Sequence, residues 1–407
     1  MTTTPSSPAE PAVFPRTPST RARDLVAQVA ELGPTFAERA ARYDREASFP
    51  YENWEDLAAI GFLGLCIPER YGGLGADFTT YALVAEEIGR HCGSTALTFN
   101  MHTATCLLVG QVVDELALPP AEAAVVEERR QRLYADVLTK GTIHAQPFSE
   151  GLSGRATTGV ATTATPVDGG YLVRGRKIFA SLSEAAGIHD IVCLVPGDDR
   201  IRFMGVPADA DGLSIVGDWD PLGMRGTVSK TLVFEDVFVP ADNEWLPPGV
   251  FDQVAARWPF FYMTLSFAYL GVCRAVMDFT RSYLRGEIDG SSRAGNDQKR
   301  AVWAEMQVRH AAARALALQV LGRVRVDPDP DEVALAWSSM VTTMETAPEL
   351  ASMAIRACGG RSILRPLPLE RFYRDARCGA TMLPWSVEVC LDRLGRHGLV
   401  DGEETFA

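Results

Sequence analysis

Apolar positions recur with two different periods along the chain. In DLVAQVAELGPTFAERAARYDRE and YALVAEEIGRHCG they return every three or four residues, which is the spacing of a helix with one buried face. Between about residues 140 and 240 the period shortens to two, in runs rich in Thr and Val such as TTGVATTATPVDGGYLVRGRKIFASL. The helical period returns after about residue 250, in TLSFAYLGVCRAVMDFTRSYL and RAVWAEMQVRHAAARALALQVLGRV.

This order of α, β and α segments predicts a multidomain α+β fold. We expect a disordered tail over 1–20, an N-terminal helical domain over 21–138, a middle β-barrel or β-sandwich domain over 139–243, and a C-terminal four-helix bundle over 244–407. The tail is rich in Pro, Ser and Thr and lacks the apolar segment of a signal peptide. The last helices are strongly apolar on one face, which is typical of a bundle core and often of an oligomer interface.

Composition narrows the class of protein further. The chain has 407 residues, 47% of them hydrophobic, which is ample for a large core. A net charge of −13 argues against a nucleic-acid partner, because an acidic surface repels phosphate. No apolar run approaches the roughly 20 residues of a membrane span, so we expect a cytoplasmic protein without a membrane partner. The eight cysteines and six histidines are dispersed without metal-binding spacing, which predicts reduced thiols and no metal.

Three motifs carry a family resemblance. They are GYLVRGRKIFAS at 170–181, LGMRGTVSKTLVFEDVFVP at 222–240 and CGGRSILRPLPLERFYRDAR at 358–377, with weaker matches in IPERYGGLGAD and LVAEEIGR. In this order and spacing they resemble the acyl-CoA dehydrogenase family, and the resemblance covers roughly residues 21–395.

The resemblance implies FAD as cofactor and oxidation of an acyl thioester, carried by CoA or by an acyl-carrier protein. A base removes the α-proton while flavin N5 accepts the β-hydrogen as hydride, so the flavin carries the redox chemistry. The electron acceptor is left open. The family also implies a homodimer or homotetramer, and a hetero-oligomer with a paralogue is a further alternative.

Two segments match the positions that hold the flavin ring in the family. They lie in AQPFSEGLSG and KIFAS, where an aromatic packs on the ring and a hydroxyl reaches its N5 edge. The first match is partial, since Gly151 stands where Pro is usual and Arg155 where Ser is usual. The residues implied are Phe148, Ser149, Glu150, Gly154, Phe179, Ala180 and Ser181.

The other end of FAD is held in the family by the neighbouring subunit. Here only part of the pattern is present, and Glu287 stands where an Arg is expected on the pyrophosphate, which an acid would repel. Arg285, Arg293 and Arg356 are candidate substitutes for that Arg, and the paired glycines fit a helix C-cap equally well. The residues implied at this end are Gln298, Arg356, Gly359 and Gly360.

The family's catalytic base is missing. In most members a Glu lies nine residues after the motif Arg at position 374, and here that position is Leu383. A second group places its Glu at a position that falls on Phe261. Glu388 and Asp392 follow shortly after, but they fit the solvated face of an amphipathic helix better.

Three functions remain open on the sequence. The first is hydride transfer from a thioester substrate without the usual Glu, the second is a flavin-dependent monooxygenase of the same fold, and the third is a non-catalytic subunit completed by a partner chain. Two other residues, His102 and Arg225, are better explained as structural than as catalytic.

Overall fold

The computed structural model describes residues 18–151 and 159–399. The N-terminal part is helical, as predicted. The Ser19 and Asp77 side chains cap the helices that begin at Thr20 and Phe78 by accepting backbone N–H bonds. Its helices are α1 (Thr20–Glu46), α2 (Tyr51–Ala59), α3 (Phe78–His91), α4 (Gly93–Leu107), α5 (Val113–Glu115) and α6 (Pro120–Lys140). Of the predicted tail, only residues 18–20 fall in the described range, and α1 already begins at Thr20.

The glycine-rich stretch YGGLGADFTT is a turn between helices. A 3-10 turn over Glu69–Tyr71 ends at Gly72, whose φ of 93° lies in the left-handed region that glycine adopts without strain. The turn leads into α3, where the Asp77 carboxylate accepts the Thr80 N–H at 2.8 Å. The stretch therefore serves to enter α3.

The middle part is one curled sheet with its own apolar core. The strands run in the order β1-β4-β2-β3-β7-β6, with β5 paired to β4. The long antiparallel pairing of β3 with β7 lies within this order. Residues of alternating strand positions, among them Val173, Phe234 and Val237, fill the core. The strands are β1 (His144–Ala145), β2 (Thr163–Val167), β3 (Gly170–Ala180), β4 (Ile188–Val195), β5 (Asp198–Pro207), β6 (Leu213–Val216) and β7 (Lys230–Pro240).

The C-terminal part returns to helices, which confirms the predicted α, β, α order. Helix α10 lies at its centre and packs against α8, α9, α11 and α12. The helices are α7 (Val250–Arg257), α8 (Ser266–Arg285), α9 (Asp297–Leu321), α10 (Pro330–Cys358), α11 (Leu369–Cys378) and α12 (Val387–Arg396), and a 3-10 turn over Pro259–Met263 precedes α8. Two stretches pass a length and hydropathy test for membrane spans, Gly93–Glu115 and Pro259–Arg285, but 89% of each lies buried in the protein.

The motif ERFYRDAR on α11 joins all three parts of the chain. The Arg374 guanidinium donates to both carboxylate oxygens of Asp44 on α1, at 2.8 and 2.6 Å, and to the Leu222 carbonyl oxygen of the β domain. Next to it, the buried Asp375 carboxylate accepts the Met224 N–H. Arg225 donates to the Asp44 carbonyl oxygen at 2.7 Å, so its expected structural role agrees with this contact.

Candidate active site

Phe179 stands out at the end of β3. Lys177 pairs with Leu232 and Ala180 with Lys230, so β3 carries one extra residue across this step, as in a β-bulge. Phe179 takes a φ of 52° there and its side chain is 68% exposed. A left-handed conformation costs a residue with a Cβ about 1–2 kcal/mol. A strained and exposed aromatic is typical of a ligand-binding position.

The loop before residue 152 is fixed against the same strand. The Ile178 N–H donates to the Ser149 carbonyl oxygen at 2.7 Å. The Glu150 carboxylate turns inward, where it accepts bonds from Lys177 Nζ at 2.5 Å and from Thr162 Oγ1 at 2.7 Å. Glu150 therefore holds the loop through its buried side chain, and the pKa of its carboxyl is lowered by Lys177 against the opposing effect of burial.

Phe148 closes the other side of this loop. Its ring lies 5.6 Å from that of Phe251 on α7 and 6.2 Å from that of Phe203 on β5, edge to face in both cases. Phe148 is half-buried in this cluster. The predicted ring-holding residues Phe148, Ser149, Glu150, Phe179, Ala180 and Ser181 thus lie on two hydrogen-bonded segments, while Gly154 lies outside the described residues.

Ser181 heads a chain of three hydroxyl groups. Its Oγ lies 2.9 Å from Ser229 Oγ, which lies 2.8 Å from Thr227 Oγ1. Ser181 is half-buried, whereas the other two are buried. The sequence pointed to Ser181 alone. Thr227 and Ser229 are separated by one residue in RGTVSK, a spacing that would put both on one face of an extended segment. This spacing was their only signal in the sequence.

Of the two positions that carry the family's base, one is buried beside aromatic side chains and the other is exposed. Phe261 is buried in the 3-10 turn before α8, and its neighbour Tyr262 packs on Trp385 with ring centroids 5.9 Å apart. Trp385 also packs on Trp337 of α10 at 6.1 Å. Leu383, two residues before Trp385, is 57% exposed. Neither Phe261 nor Leu383 offers an atom that accepts a proton.

The acids nearest in sequence to these positions do not replace the base. Glu388 and Asp392 are exposed on α12, and Asp392 pairs with Arg396 at 3.0 Å, as expected for a solvated helix face. Burial raises the pKa of Tyr262 to about 12, which keeps its phenol protonated. Asp252 on α7 was not singled out from the sequence. Its pKa is raised by burial, and its carboxylate accepts the Ile201 N–H at 3.0 Å.

A buried polar network lies behind the loop, between α4 and the sheet. The Asp190 carboxylate accepts from Thr105 Oγ1, His144 Nδ1 and Trp245 Nε1, at 2.9, 2.9 and 2.7 Å. His102 accepts the His144 N–H at Nδ1, so its Nε2 carries the proton that is donated to the Leu63 carbonyl oxygen. Burial lowers the pKa of His102 to about 3. His102 is therefore a neutral structural residue.

The second set of predicted residues meets at one end of the C-terminal helices. Gln298 is exposed at the start of α9, and the next residue, Lys299, donates to the Ala357 carbonyl oxygen at the end of α10. Arg356 is exposed in the last turn of α10. Gly359 follows with a φ of 87° and caps the helix through its N–H, while Gly360 opens the next turn. This cap explains the first of the two glycines without a ligand.

The arginines near Glu287 are engaged by acids of their own segment. Arg285 Nε lies 2.9 Å from Glu287 Oε1. Arg293 donates to both carboxylate oxygens of Asp289 and stacks on the Tyr283 ring at 4.3 Å. A pyrophosphate would have to compete with these carboxylates for two of the three arginines that were candidates to hold it.

Protein-family comparison decides the relationship that the motifs indicated. The acyl-CoA dehydrogenase N-terminal, middle and C-terminal domain models match residues 19–113, 145–237 and 262–383. The chain belongs to the acyl-CoA dehydrogenase family. The predicted family and the predicted fold are both confirmed, whereas the domain boundaries and the individual site residues stay predictions.

Its relatives within the acyl-CoA dehydrogenase family differ in chemistry. L-evernosamine nitrososynthase of a Micromonospora species is 29% identical over 404 residues, which cover 94% of this chain and 92% of that protein. Human short-chain specific acyl-CoA dehydrogenase is 26% identical, with 91% and 92% covered. Among solved structures, FMN-bound TdsC of Paenibacillus sp. A11-2, a dibenzothiophene monooxygenase, matches with a TM-score of 0.81, 25% identity, and 94% and 99% covered.

Proposed function

We propose that this acyl-CoA dehydrogenase family member is a flavin-dependent monooxygenase. The observation that carries the proposal is the replacement of the family's base at both of its known positions, by Phe261 and by Leu383. The surrounding side chains, Tyr262, Trp385 and Trp337, add aromatic surface and no carboxylate.

The absence of a base weighs against dehydrogenation for a chemical reason. The α-proton of a thioester is weakly acidic, so its removal needs a positioned proton acceptor near the reacting carbon. Oxygen transfer to an electron-rich atom of a substrate removes no such proton. As substrate class we propose an apolar or aromatic molecule with an oxidisable heteroatom or ring, by analogy with the dibenzothiophene monooxygenase.

The ring-binding segments fit a flavin. Phe179 presents an aromatic face, Ser181 a hydroxyl, and the loop over 146–151 is held in place by the Glu150–Lys177 pair and by the bond from Ile178 to Ser149. When bound and reduced, a flavin supplies two electrons to oxygen, of which one atom enters the substrate and the other leaves as water. The residues at the bundle end fit a pyrophosphate less well, so both FMN and FAD belong in the test.

Two proteins of the same fold support the proposal by their names. One relative is a nitrososynthase, and the structure of TdsC, a monooxygenase, contains FMN. The human dehydrogenase represents the competing activity on acyl thioesters, which the family resemblance predicted first. The thioester substrate remains the second candidate function, and the cytoplasmic location, the oligomeric state and the partners stay predictions.

The deciding experiment compares oxygen transfer with thioester oxidation in one preparation. The protein is loaded with FMN or FAD and supplied with NADH, a separate flavin reductase and ¹⁸O₂, with indole and dibenzothiophene as probes. We expect ¹⁸O in a product of at least one probe by mass spectrometry. In the anaerobic arm, butyryl-CoA and octanoyl-CoA are added without reductase, and we expect the flavin absorbance to persist.

Two outcomes would count against the proposal. Rapid anaerobic bleaching by either CoA ester would contradict it and establish the dehydrogenase. A protein that retains neither flavin would support the third possibility, a subunit completed by a partner chain. A Phe179→Ala variant serves as control, since it removes the exposed ring without touching Phe261 or Leu383 and should lower flavin retention in both arms.

A further inference from the structure

The hydroxyl chain of Ser181, Ser229 and Thr227 has a direction. Three hydroxyl groups carry three protons, but the chain contains only two oxygen–oxygen contacts. One proton must therefore point out of the chain, from Ser181, from Thr227, or from Ser229 if that hydroxyl accepts from both neighbours. Within residues 18–151 and 159–399, no other group forms a hydrogen bond with these three hydroxyls.

Burial decides which hydroxyl carries the outward proton. Thr227 and Ser229 are 2% and 6% exposed, so an outward O–H at either would be buried without an acceptor among the described residues, which costs about 1–3 kcal/mol. Ser181 is only half-buried and lies two residues from the exposed Phe179. The favoured order is thus Thr227 donating to Ser229, Ser229 donating to Ser181, and Ser181 donating outward.

The backbone is strained to hold the two inner hydroxyls in place. The 3-10 turn over Arg225–Thr227 is flanked by Met224 and Val228, both with positive φ, of 52° and 43°. A β-branched residue such as valine is an outlier in this region. Two hydrogen bonds hold this strained segment in place. The Leu182 N–H donates to the Thr227 carbonyl oxygen at 3.0 Å, and Ser183 Oγ donates to the Val228 carbonyl oxygen at 2.7 Å.

We propose that Thr227 and Ser229 are positioning residues that force Ser181 to act as a hydrogen-bond donor toward the flavin ring. The proposal rests on the flavin site of the proposed function. Each bond in the chain polarises the next, which strengthens the last donor. An oxidised flavin has a bare acceptor nitrogen at N5, whereas the reduced ring carries N–H there. A fixed donor at this edge therefore favours binding of the oxidised form.

The test measures affinity for oxidised and for reduced FMN separately. Thr227→Val keeps the shape of the side chain and removes the first donor, so Ser181 is free to turn its proton inward. We expect affinity for oxidised FMN to fall about two- to tenfold, the range of one hydrogen bond, and affinity for reduced FMN, titrated anaerobically, to change less than about twofold. A tenfold loss confined to the oxidised form would raise the two-electron potential of the bound flavin by about 30 mV.

Two further variants separate positioning from stability. Thr227→Ser retains the hydroxyl and should restore the ratio of the two affinities. Ser183→Ala removes a hydroxyl that holds the Val228 backbone but lies outside the chain, so it should lower the melting temperature and move the ratio much less than Thr227→Val does.

The outcomes distinguish this inference from the proposed function. Equal weakening of both oxidation states by Thr227→Val, or no weakening in the folded variant, overturns the positioning role while leaving the monooxygenase proposal standing. A wild-type protein that binds neither FMN nor FAD overturns both. A ratio that moves with Ser183→Ala as much as with Thr227→Val would assign the effect to the fold of the segment and also overturn the inference.

Discussion

The Nζ atom of Lys177 lies 2.5 Å from Oε1 of Glu150, and the two side chains are 0% and 3% exposed. Lys177 also donates to the Val192 carbonyl oxygen at 2.7 Å. This buried pair joins β3, just before the Phe179 bulge, to the loop over 146–151. The two segments predicted to bind the flavin ring are therefore joined by one ion pair that is away from solvent.

Removing one partner of this pair should be costly. Lys177→Met leaves the Glu150 carboxylate buried without its cation, and we expect a loss of about 3–5 kcal/mol in the free energy of unfolding. Urea denaturation of the flavin-free protein measures it. The double variant Lys177→Met/Glu150→Gln carries no unpaired charge and should recover part of the loss. A double variant no more stable than the single one would show that the cost comes from packing.

We expect Phe179 to lower the stability of the flavin-free protein slightly and to raise its affinity for flavin. Phe179→Gly relieves the left-handed backbone and removes an exposed ring, so we expect the flavin-free protein to be as stable as wild type or up to about 1 kcal/mol more stable. Its affinity for flavin should fall by at least tenfold, because the ring surface is lost. Thermal unfolding and FMN titration check the two effects. A clear loss of stability without loss of affinity would show that Phe179 belongs to the fold alone.

Arg374 and Asp44 should be strongly coupled. Their two hydrogen bonds are charge-assisted and partly buried, so we expect Arg374→Lys, which loses the two-pronged geometry, to cost about 2–3 kcal/mol. A double-mutant cycle with Asp44→Asn should give a coupling energy of about 1 kcal/mol or more. Arg309→Ala breaks exposed pairs with Glu305 and Glu349 and should change stability by less than about 0.5 kcal/mol.

Acid should destabilise the protein through buried histidines. Burial lowers the pKa of His102 to about 3 and that of His189 to about 4, while an unfolded histidine titrates near 6.5. The unfolded state therefore binds protons first, and the stability present above pH 6.5 is lost as the pH falls toward these lower values.

His189 offers the cleaner variant, since neither ring nitrogen has a hydrogen-bond partner within the part of the chain that the structure describes. Protonation of His189 in the unfolded state should lower the free energy of unfolding by roughly 2 kcal/mol between pH 7 and pH 5. His189→Leu should remove it, so the difference in unfolding free energy between variant and wild type should grow by that amount between pH 7 and pH 5. A constant difference across this range would contradict the assignment.

The fold was largely predictable from local patterns. The shift from a helical period to a period of two located the β domain, because each period follows from how side chains project from its backbone. Ser19 and Asp77 marked helix starts in the same local way. The structure agreed also in assigning Glu388 and Asp392 to a solvated helix face.

Other features had no local signal. The inward turn of Glu150 depends on Lys177, which lies 27 positions away, and the link from Ser181 to Ser229 spans 48 positions. The engagement of Arg285 and Arg293, by contrast, was within reach of the sequence, because their acids lie only two and four positions away.

By itself, the sequence determined the family, the α, β, α order and the loss of the base at Phe261 and Leu383, because these depend on residue identity at fixed spacing. Only the tertiary structure decided what Phe261 is buried beside and which hydroxyl groups Ser181 meets. Aromatic packing and hydrogen-bond direction depend on which distant segments meet and on how deeply each group is buried. Those quantities belong to the folded chain and have no counterpart in the order of its residues.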